Sequence, residues 1–394
     1  MTGTSAPTET DVVVLGGGVV GSACAWALAR SGSRVVVADG DPARGAWAAA
    51  AGMLAPGTEL RHGGEQLHML SLSAAEAFAD YLALVGADSG RETGHRSTGS
   101  LALAADVDDR AVLDDVLALQ HALGLRAERL GARACRRLEP YLDPGVAGGV
   151  LVQDDHQVDP RRLVEALRLA GARRGVQTVT SDGAVLVEDG RAAGVTLADG
   201  SVVRASYVVV AAGAWSGEVG VPESARPPVR PVKGQVVRMR MPAGEPLLTR
   251  VLRATVRGRS LYLVPRADGE LVAGATTEDK GFDHAVTAGA VHDLLHDTAA
   301  VLPGTSECEL VETRARSRPG TPDDLPVVGA TDVPGLVLAA GHGRNGVLLS
   351  GLTAEAVVAA VRGDPLPPAM DVAAPDRFSS SSPADARPVL QEVR

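Results

Sequence analysis

Gly16, Gly18 and Gly21 stand at the G-x-G-x-x-G spacing, and Asp39 follows 18 residues beyond Gly21. Glycines so placed allow a tight turn, close approach of backbone to a pyrophosphate, and close packing of a helix on a strand. The free N–H groups at the positive end of that helix favour an anion, with Val19 and Val20 inside the turn. Asp39 is placed to accept from ribose hydroxyls, so the chemistry on offer is the grip on a dinucleotide. A second strand-to-glycine turn comes at residues 207–215 and carries Gly213 and Trp215. Two such turns fit a flavin dinucleotide held by several segments, since a nicotinamide cofactor usually needs only the first. Arg314, Arg316 and Arg318 recur every second residue and share one face of a strand. A planar guanidinium there could hold a carboxylate through two parallel N–H bonds, but the spacing does not choose among the three.

Other constellations carry less. His292 and His296 flank Asp293 at the spacing of a zinc pair. Aspartate is short for the usual base and no third ligand is apparent, so an exposed helix face is expected and no metal. Asp154, Asp155 and His156 read as a polar turn. Neither a G-x-S-x-G elbow nor a P-loop is present, and there are no repeats.

The elements that must position these residues follow from patterning. Val12 to Leu15 and Val35 to Ala38 are apolar, β-branched runs of strands buried on both faces, with a helix over Ser22 to Arg30 between them. A loop rich in glycine and alanine (GAWAAAAGMLAP, residues 45–56) has side chains small enough for a flat ligand to approach. Helical periodicity covers residues 70–85 and 107–123. Asp159 before Pro160 reads as an N-cap opening a helix to about Arg174. Residues 184–187 and 194–197 read as a hairpin turning at Asp189-Gly190. From Lys233 to Arg318 the strands lengthen, at 235–239, 260–265 and 271–276, with a helix near 286–301, which reads as an antiparallel sheet domain inserted between cofactor segments. Short buried strands return at 327–329 and 336–341, and GHGRNG (341–346) opens a last helix ending near Arg362.

The chain has 394 residues, 45% of them hydrophobic, enough for two cores. Its 38 basic and 48 acidic residues give a net charge of −10 with no basic run, which argues against a nucleic-acid or anionic-membrane partner. The uncharged stretch 12–29 has clustered glycines and no basic residues before it, so it reads as neither membrane span nor signal peptide. Cys24, Cys135 and Cys308 are odd in number and far apart, as expected of reduced thiols in a cytoplasmic protein.

With these pieces in place the chain resembles the glycine/D-amino-acid oxidase family of FAD flavoproteins, and within it the members that serve thiamine synthesis. The resemblance spans residues 11–363. It is carried by the opening fingerprint, AAAGMLAP (49–56), VDP (158–160), VVVAAGAWS (208–216), RPVKGQ (230–235), LYLVPR (261–266), SRPGTPDDLPVVG (317–329) and GHGRNGVLL (341–349). It implies an α/β fold: a Rossmann-like FAD-binding domain built from discontinuous segments, plus an α+β substrate domain with a mainly antiparallel sheet. The expected FAD-binding segments are 11–91, 149–229 and 320–364, and the substrate segments 92–148 and 230–319. A disordered tail is expected at 1–10 and a solvated one at 365–394.

The resemblance also assigns residues. Gly16, Gly18, Gly21 and Asp39 would bind the ADP half of FAD, while Ala51, Gly52 and Met53 lie along the isoalloxazine. Gly213 and Trp215 would touch the cofactor. So would Gly341, His342, Gly343, Arg344, Asn345, Gly346 and Val347, aiming the N-terminus of the last helix at the pyrimidine end of the flavin, where reduction places negative charge. Tyr262, Arg318 and Arg344 would hold the substrate carboxylate, with Met53 beside them. The implied reaction is hydride transfer from glycine to flavin N5. It gives an imine, then glyoxylate and ammonia, with O2 reduced to H2O2, and supplies the thiazole of thiamine. A homo-oligomer is expected. The alternatives are a broader D-amino-acid or sarcosine oxidase, an amine dehydrogenase, and a non-catalytic FAD-binding subunit of a complex. A tRNA-modifying relative is disfavoured by the acidic balance.

This chain departs from the family pattern in places. Trp47 and Ala48 replace small hydroxyl residues near the flavin phosphates. Gly343 replaces an aromatic and is expected to widen the mouth of the site. Gly351 replaces a proline, at an expected cost only to rigidity.

Overall fold

A computed structural model of the chain describes residues 7–378. In chain order it opens with β1 (Glu9–Leu15), α1 (Val19–Arg30), β2 (Val35–Ala38), β3 (Met53–Leu54), α2 (Glu65–Ser89), β4 (Ser100–Ala104), α3 (Val107–Ala122), β5 (Ala127–Gly131), α4 (Ala132–Leu138), β6 (Gly148–Val152) and β7 (His156–Gln157). Next come α5 (Pro160–Arg173), β8 (Gln177–Val179), β9 (Gly183–Glu188), β10 (Arg191–Leu197) and β11 (Val202–Val210). The last part holds β12 (Arg230–Arg240), β13 (Val251–Val256), β14 (Arg259–Pro265), β15 (Glu270–Gly274), α6 (Ala288–Val301), β16 (Glu309–Gly320), β17 (Val327–Ala330), β18 (Leu336–Ala340) and α7 (Ser350–Arg362).

The first sheet runs β17-β18-β11-β1-β2-β8, with the β9–β10 hairpin attached to β11. β1 pairs in parallel with both β2 and β11, so the two glycine turns leave the same edge of neighbouring strands. Both faces of β1 are covered, which is why Val12 to Leu15 read as an unbroken apolar run: Val12 and Val14 pack under the helices, Val13 and Leu15 on the hairpin side. α1, α2, α5 and α7 form the helical layer over one face. The expected hairpin turn is present, with Asp189 and Gly190 both at positive φ (47° and 76°), as a two-residue hairpin requires. Asp159 caps α5 by accepting from the Arg161 and Arg162 amides.

The second sheet runs β16-β12-β15-β14-β13-β4-β6-β5, antiparallel except where β13 meets β4. Strict alternation divides its faces. Val237, Met239, Leu252, Ala254, Leu261, Leu263, Leu271 and Ala273 pack with Leu294 and Val301 of α6. The register puts Arg238, Arg253, Tyr262, Arg314, Arg316 and Arg318 on the opposite face, turned toward the first domain.

Several expectations are corrected. β6 pairs with β4 and β5 in the second sheet, so the segment boundary falls after Val152 and not at 148/149. β1 starts at Glu9, inside the expected tail. Residues 365–378 are not a solvated tail: they form short 3-10 turns, Pro368–Ala373 and Pro375–Phe378, and Met370 and Ala373 are fully buried in the helical-layer core. The expectations for residues 1–6 and 379–394 lie outside the described residues. α7 starts at Ser350 and not at Gly346, because Gly341 (φ +73°) and Gly343 (φ +52°) break the helical path and a run of turns intervenes. Gly351 has a packing role beyond rigidity. A Cβ there would stand 2.9 Å from Cγ of Tyr81, so glycine lets the α7 backbone rest on that ring.

Candidate active site

The glycine turn is built for a dinucleotide by exclusion of side chains. Gly16 holds φ +99°, and a Cβ there would lie 2.9 Å from the Ala211 carbonyl carbon of the second turn. A Cβ on Gly21 would lie 2.9 Å from the Gly16 carbonyl carbon, so α1 can sit on the turn only with glycine at that position. α1 begins at Val19, N-capped by Gly18 with no side-chain cap, which leaves its first amides for a ligand. At the end of β2 the Asp39 carboxylate accepts from the Gly17 amide at 2.8 Å. These residues fit the ADP half of FAD. In the 341–347 loop, expected at the flavin end of the cofactor, Oδ1 of Asn345 is buried without a partner.

The alanine-rich loop is held by arginines that sequence reasoning left unassigned. Arg161 of α5 donates to the Ala48 carbonyl at 2.9 Å, and Arg238 of β12 to that of Ala50 at 3.3 Å. Arg266, just past β14, donates to the Ala51 carbonyl at 2.5 Å, to that of Val158 at 3.0 Å and to Oε1 of Gln157 at 3.0 Å. Arg266 is buried, which pulls its pKa down to about 10, so it stays charged at neutral pH. The chain between Trp47 and Gly52 is thus clamped by both domains. Arg266 lay within the LYLVPR motif; nothing in the local sequence marked it as a clamp. Gly52 (φ +71°) meets helix α5 where a Cβ would stand 2.7 Å from Cδ of Pro160.

The cleft side of the second sheet gathers the proposed substrate residues. Tyr262 packs with Met53, Ala51, Val251, Val264 and Val272, joining the loop and the sheet. Burial pushes the Tyr262 hydroxyl pKa up, and the nearby Arg318 charge pulls it back. Neither side chain could lie where it does without glycine opposite. A Cβ on Gly274 would stand 2.6 Å from Cζ of Tyr262, and one on Gly234 2.5 Å from Cζ of Arg318. Arg318 also donates to the Thr276 carbonyl at 3.1 Å. Its strand mates are committed elsewhere, Arg314 to Glu312 and Arg316 to the Ala43 and Ala315 carbonyls. The structure therefore separates three arginines that the two-residue period left equal.

A second charge pair, missed from sequence, borders Met53. Arg253 lies opposite Tyr262 in the β13–β14 register. It donates to Glu59 at 2.8 Å, and the two side chains are each only 14% exposed. Glu59 follows Thr58, which Asp155 holds. Asp155 is a buried hub and not a polar turn residue: it accepts from the amides of Gly57 and Thr58 and the hydroxyls of Thr58 and Ser100, burial pushing its pKa up.

The loop before α7 is anchored to the same cleft wall by the Gly343 amide, which donates to the Pro319 carbonyl beside Arg318 at 2.8 Å. His342 is buried against Thr353 Oγ1 at 2.9 Å, and burial pulls its pKa down to about 4. Gly343 faces open space, with nothing within 4 Å of an added Cβ. Arg344 is exposed, and no described contact joins it to Tyr262 or Arg318. The indole of Trp215 is stacked on Phe282 (centroids 5.0 Å) and carries the Arg44 guanidinium at 4.8 Å. His292 and His296 stack on an outer face of α6. Among the described residues no group of three or more metal-ligating side chains forms.

A model of the FAD dependent oxidoreductase family matches residues 11–360. The bifunctional protein ThiO/ThiG of Synechocystis sp. is 34% identical over 383 residues, which cover 95% of this chain and 55% of that protein. The chain thus spans about half the length of such relatives. Glycine oxidase from Geobacillus kaustophilus is 32% identical over 348 residues, 87% of this chain and 90% of that protein. Its crystal structure superposes with a TM-score of 0.86 over 94% of this chain and 99% of that one.

Proposed function

The chain belongs to the family of FAD-dependent oxidoreductases, and on that premise we propose that it oxidises glycine to the imine, which water converts to glyoxylate and ammonia. The bound flavin supplies a two-electron oxidation, with O2 as final acceptor and H2O2 as product. The observation that carries this reading is the pairing of Arg318 with Tyr262 on the cleft face, each lying over a glycine. A guanidinium and a hydroxyl so placed bind a carboxylate and leave its α-carbon facing the alanine-rich loop. Met53 and Val264 supply an apolar wall, which favours an uncharged amine. No base has to remove a carbon-bound proton if hydride leaves directly, so the protein's contribution is orientation and exclusion of water. Arg344, exposed at the mouth, would reach the carboxylate on closing over it. Supply of the thiazole of thiamine is the role that the ThiO/ThiG likeness suggests.

A broader specificity is favoured by Gly343, whose open side leaves room for an N-methyl or a small D-side chain. The test is H2O2 release by the FAD-loaded protein with glycine, sarcosine, D-alanine and D-proline. Turnover of glycine that falls roughly a hundredfold or more in Arg318→Ala is the expected outcome. Flavin bleaching under nitrogen without peroxide in air would indicate a dehydrogenase. Bleaching by none of the four would overturn the substrate assignment.

A further inference from the structure

We propose that the indole N–H of Trp47 is a phosphate donor in the cofactor turn, held in place by Arg168. The proposal rests on the FAD-binding fold and not on the choice of substrate. Trp47 lies in a 3-10 turn, Ala46–Ala48, at the start of the clamped loop. Its Nε1 is buried and has no acceptor, whereas the Trp26 Nε1 donates to Asp88 at 2.8 Å. A buried N–H without a partner is costly, so an acceptor belongs beside it. The geometry says where that acceptor would be. Nε1 is 4.0 Å from the place a Cβ on Gly18 would occupy, and Gly18 is the N-cap of α1, with no side-chain cap. The indole edge therefore borders the helix terminus whose first amides favour an anion. Gly45 makes room for it, since a Cβ there would sit 2.8 Å from Nε1.

Arg168 of α5 fixes this arrangement from outside. Its guanidinium lies 5.2 Å from the centroid of the Trp47 ring and donates to the Gly17 carbonyl at 2.6 Å. The Ser22 hydroxyl donates to the same carbonyl at 3.0 Å. In a trans peptide the N–H points opposite to the carbonyl, so this grip turns the Gly18 amide away from Arg168 and into the turn. Two donors, the indole and that amide, then border one place, and Arg168 adds positive charge behind them. The ligand chemistry is a phosphate oxygen of the dinucleotide.

The test uses the stripped protein and FAD, with binding read by flavin fluorescence. Trp47→Phe keeps a ring under Arg168 and removes the donor, so FAD affinity should fall roughly tenfold. In wild type labelled with 15N at the indoles, the Trp47 cross-peak, identified by its loss in W47F, should move downfield when FAD or inorganic pyrophosphate is added. The proposal is overturned if folded W47F binds FAD as tightly as wild type, or if the cross-peak does not move. Should W47F fail to fold, the Trp47 peak is identified by its shift in Arg168→Met, which should also weaken FAD, and the titration of that peak in wild type decides. Wild type that takes up no FAD would sink the cofactor reading itself.

Discussion

At the scale of single residues, the cleft is shaped as much by missing side chains as by charged ones. Arg318 and Tyr262 carry the functional groups, but Gly234 and Gly274 decide how deep they lie on the sheet. In Gly274→Ala the new methyl would displace the Tyr262 ring, and in Gly234→Ala it would displace the Arg318 guanidinium. A displacement near 1 Å at a positioned group costs up to about a hundredfold in rate, so kcat/KM for glycine should drop by one to two orders of magnitude, about 1.4 to 2.7 kcal/mol. The loss should fall mainly on KM, with the thermal midpoint little changed, and steady-state kinetics beside a melting curve checks both. A large fall in melting temperature with unchanged KM would show that these glycines serve packing and not the anchor. The glycine types were visible in RPVKGQ and after the LYLVPR strand; their reason was not, because it depends on side chains from neighbouring strands.

At the scale of elements, the alanine-rich loop is the point where the two sheets meet. Its small side chains were legible as room for a flat ligand, yet small side chains alone leave a loop free to move. The clamp comes from guanidiniums on α5, β12 and the end of β14. Arg266→Met should leave the carbonyls of Ala51 and Val158 and the Gln157 amide oxygen without a donor, each buried acceptor costing about 1–3 kcal/mol. FAD should then be lost on gel filtration, with an affinity at least tenfold weaker. Arg266→Lys should not restore it, because an ammonium cannot span the same fork. Full retention of FAD by Arg266→Met would show that the loop holds its shape without the clamp. The delayed start of α7 belongs to this scale too. Left-handed Gly341 and Gly343 place the GHGRNG segment in a loop tied to Pro319, and the helix begins only at Ser350.

At the scale of the whole molecule, an arginine-bearing sheet face is turned toward the dinucleotide domain, and stability should depend on pH where burial holds a titratable group neutral. His342 is buried with its pKa pulled down to about 4, from an unfolded value near 6.5. Between those values the unfolded chain binds a proton that the native one refuses. Stability is therefore full above about pH 6.5 and falls as pH drops toward 4, by about 3 kcal/mol in all. Urea melts of wild type and His342→Gln at pH 7.5 and 4.5 measure this: the variant should lose that part of the slope, and an identical slope would refute it. By itself the sequence determined the dinucleotide turn and the run of strands and helices, because local propensity, turn chemistry and the two-residue period are properties of short stretches. It also showed that Arg314, Arg316 and Arg318 share a face. Only the tertiary structure decided which of them stands beside Tyr262, that β6 belongs to the second sheet, that residues 368–373 fill a core, and that Asp155, Arg253 and Arg266 matter at all. Each of those outcomes depends on partners from tens of residues to more than 200 residues away in the chain, and nothing in a local pattern encodes which distant backbone a side chain will meet.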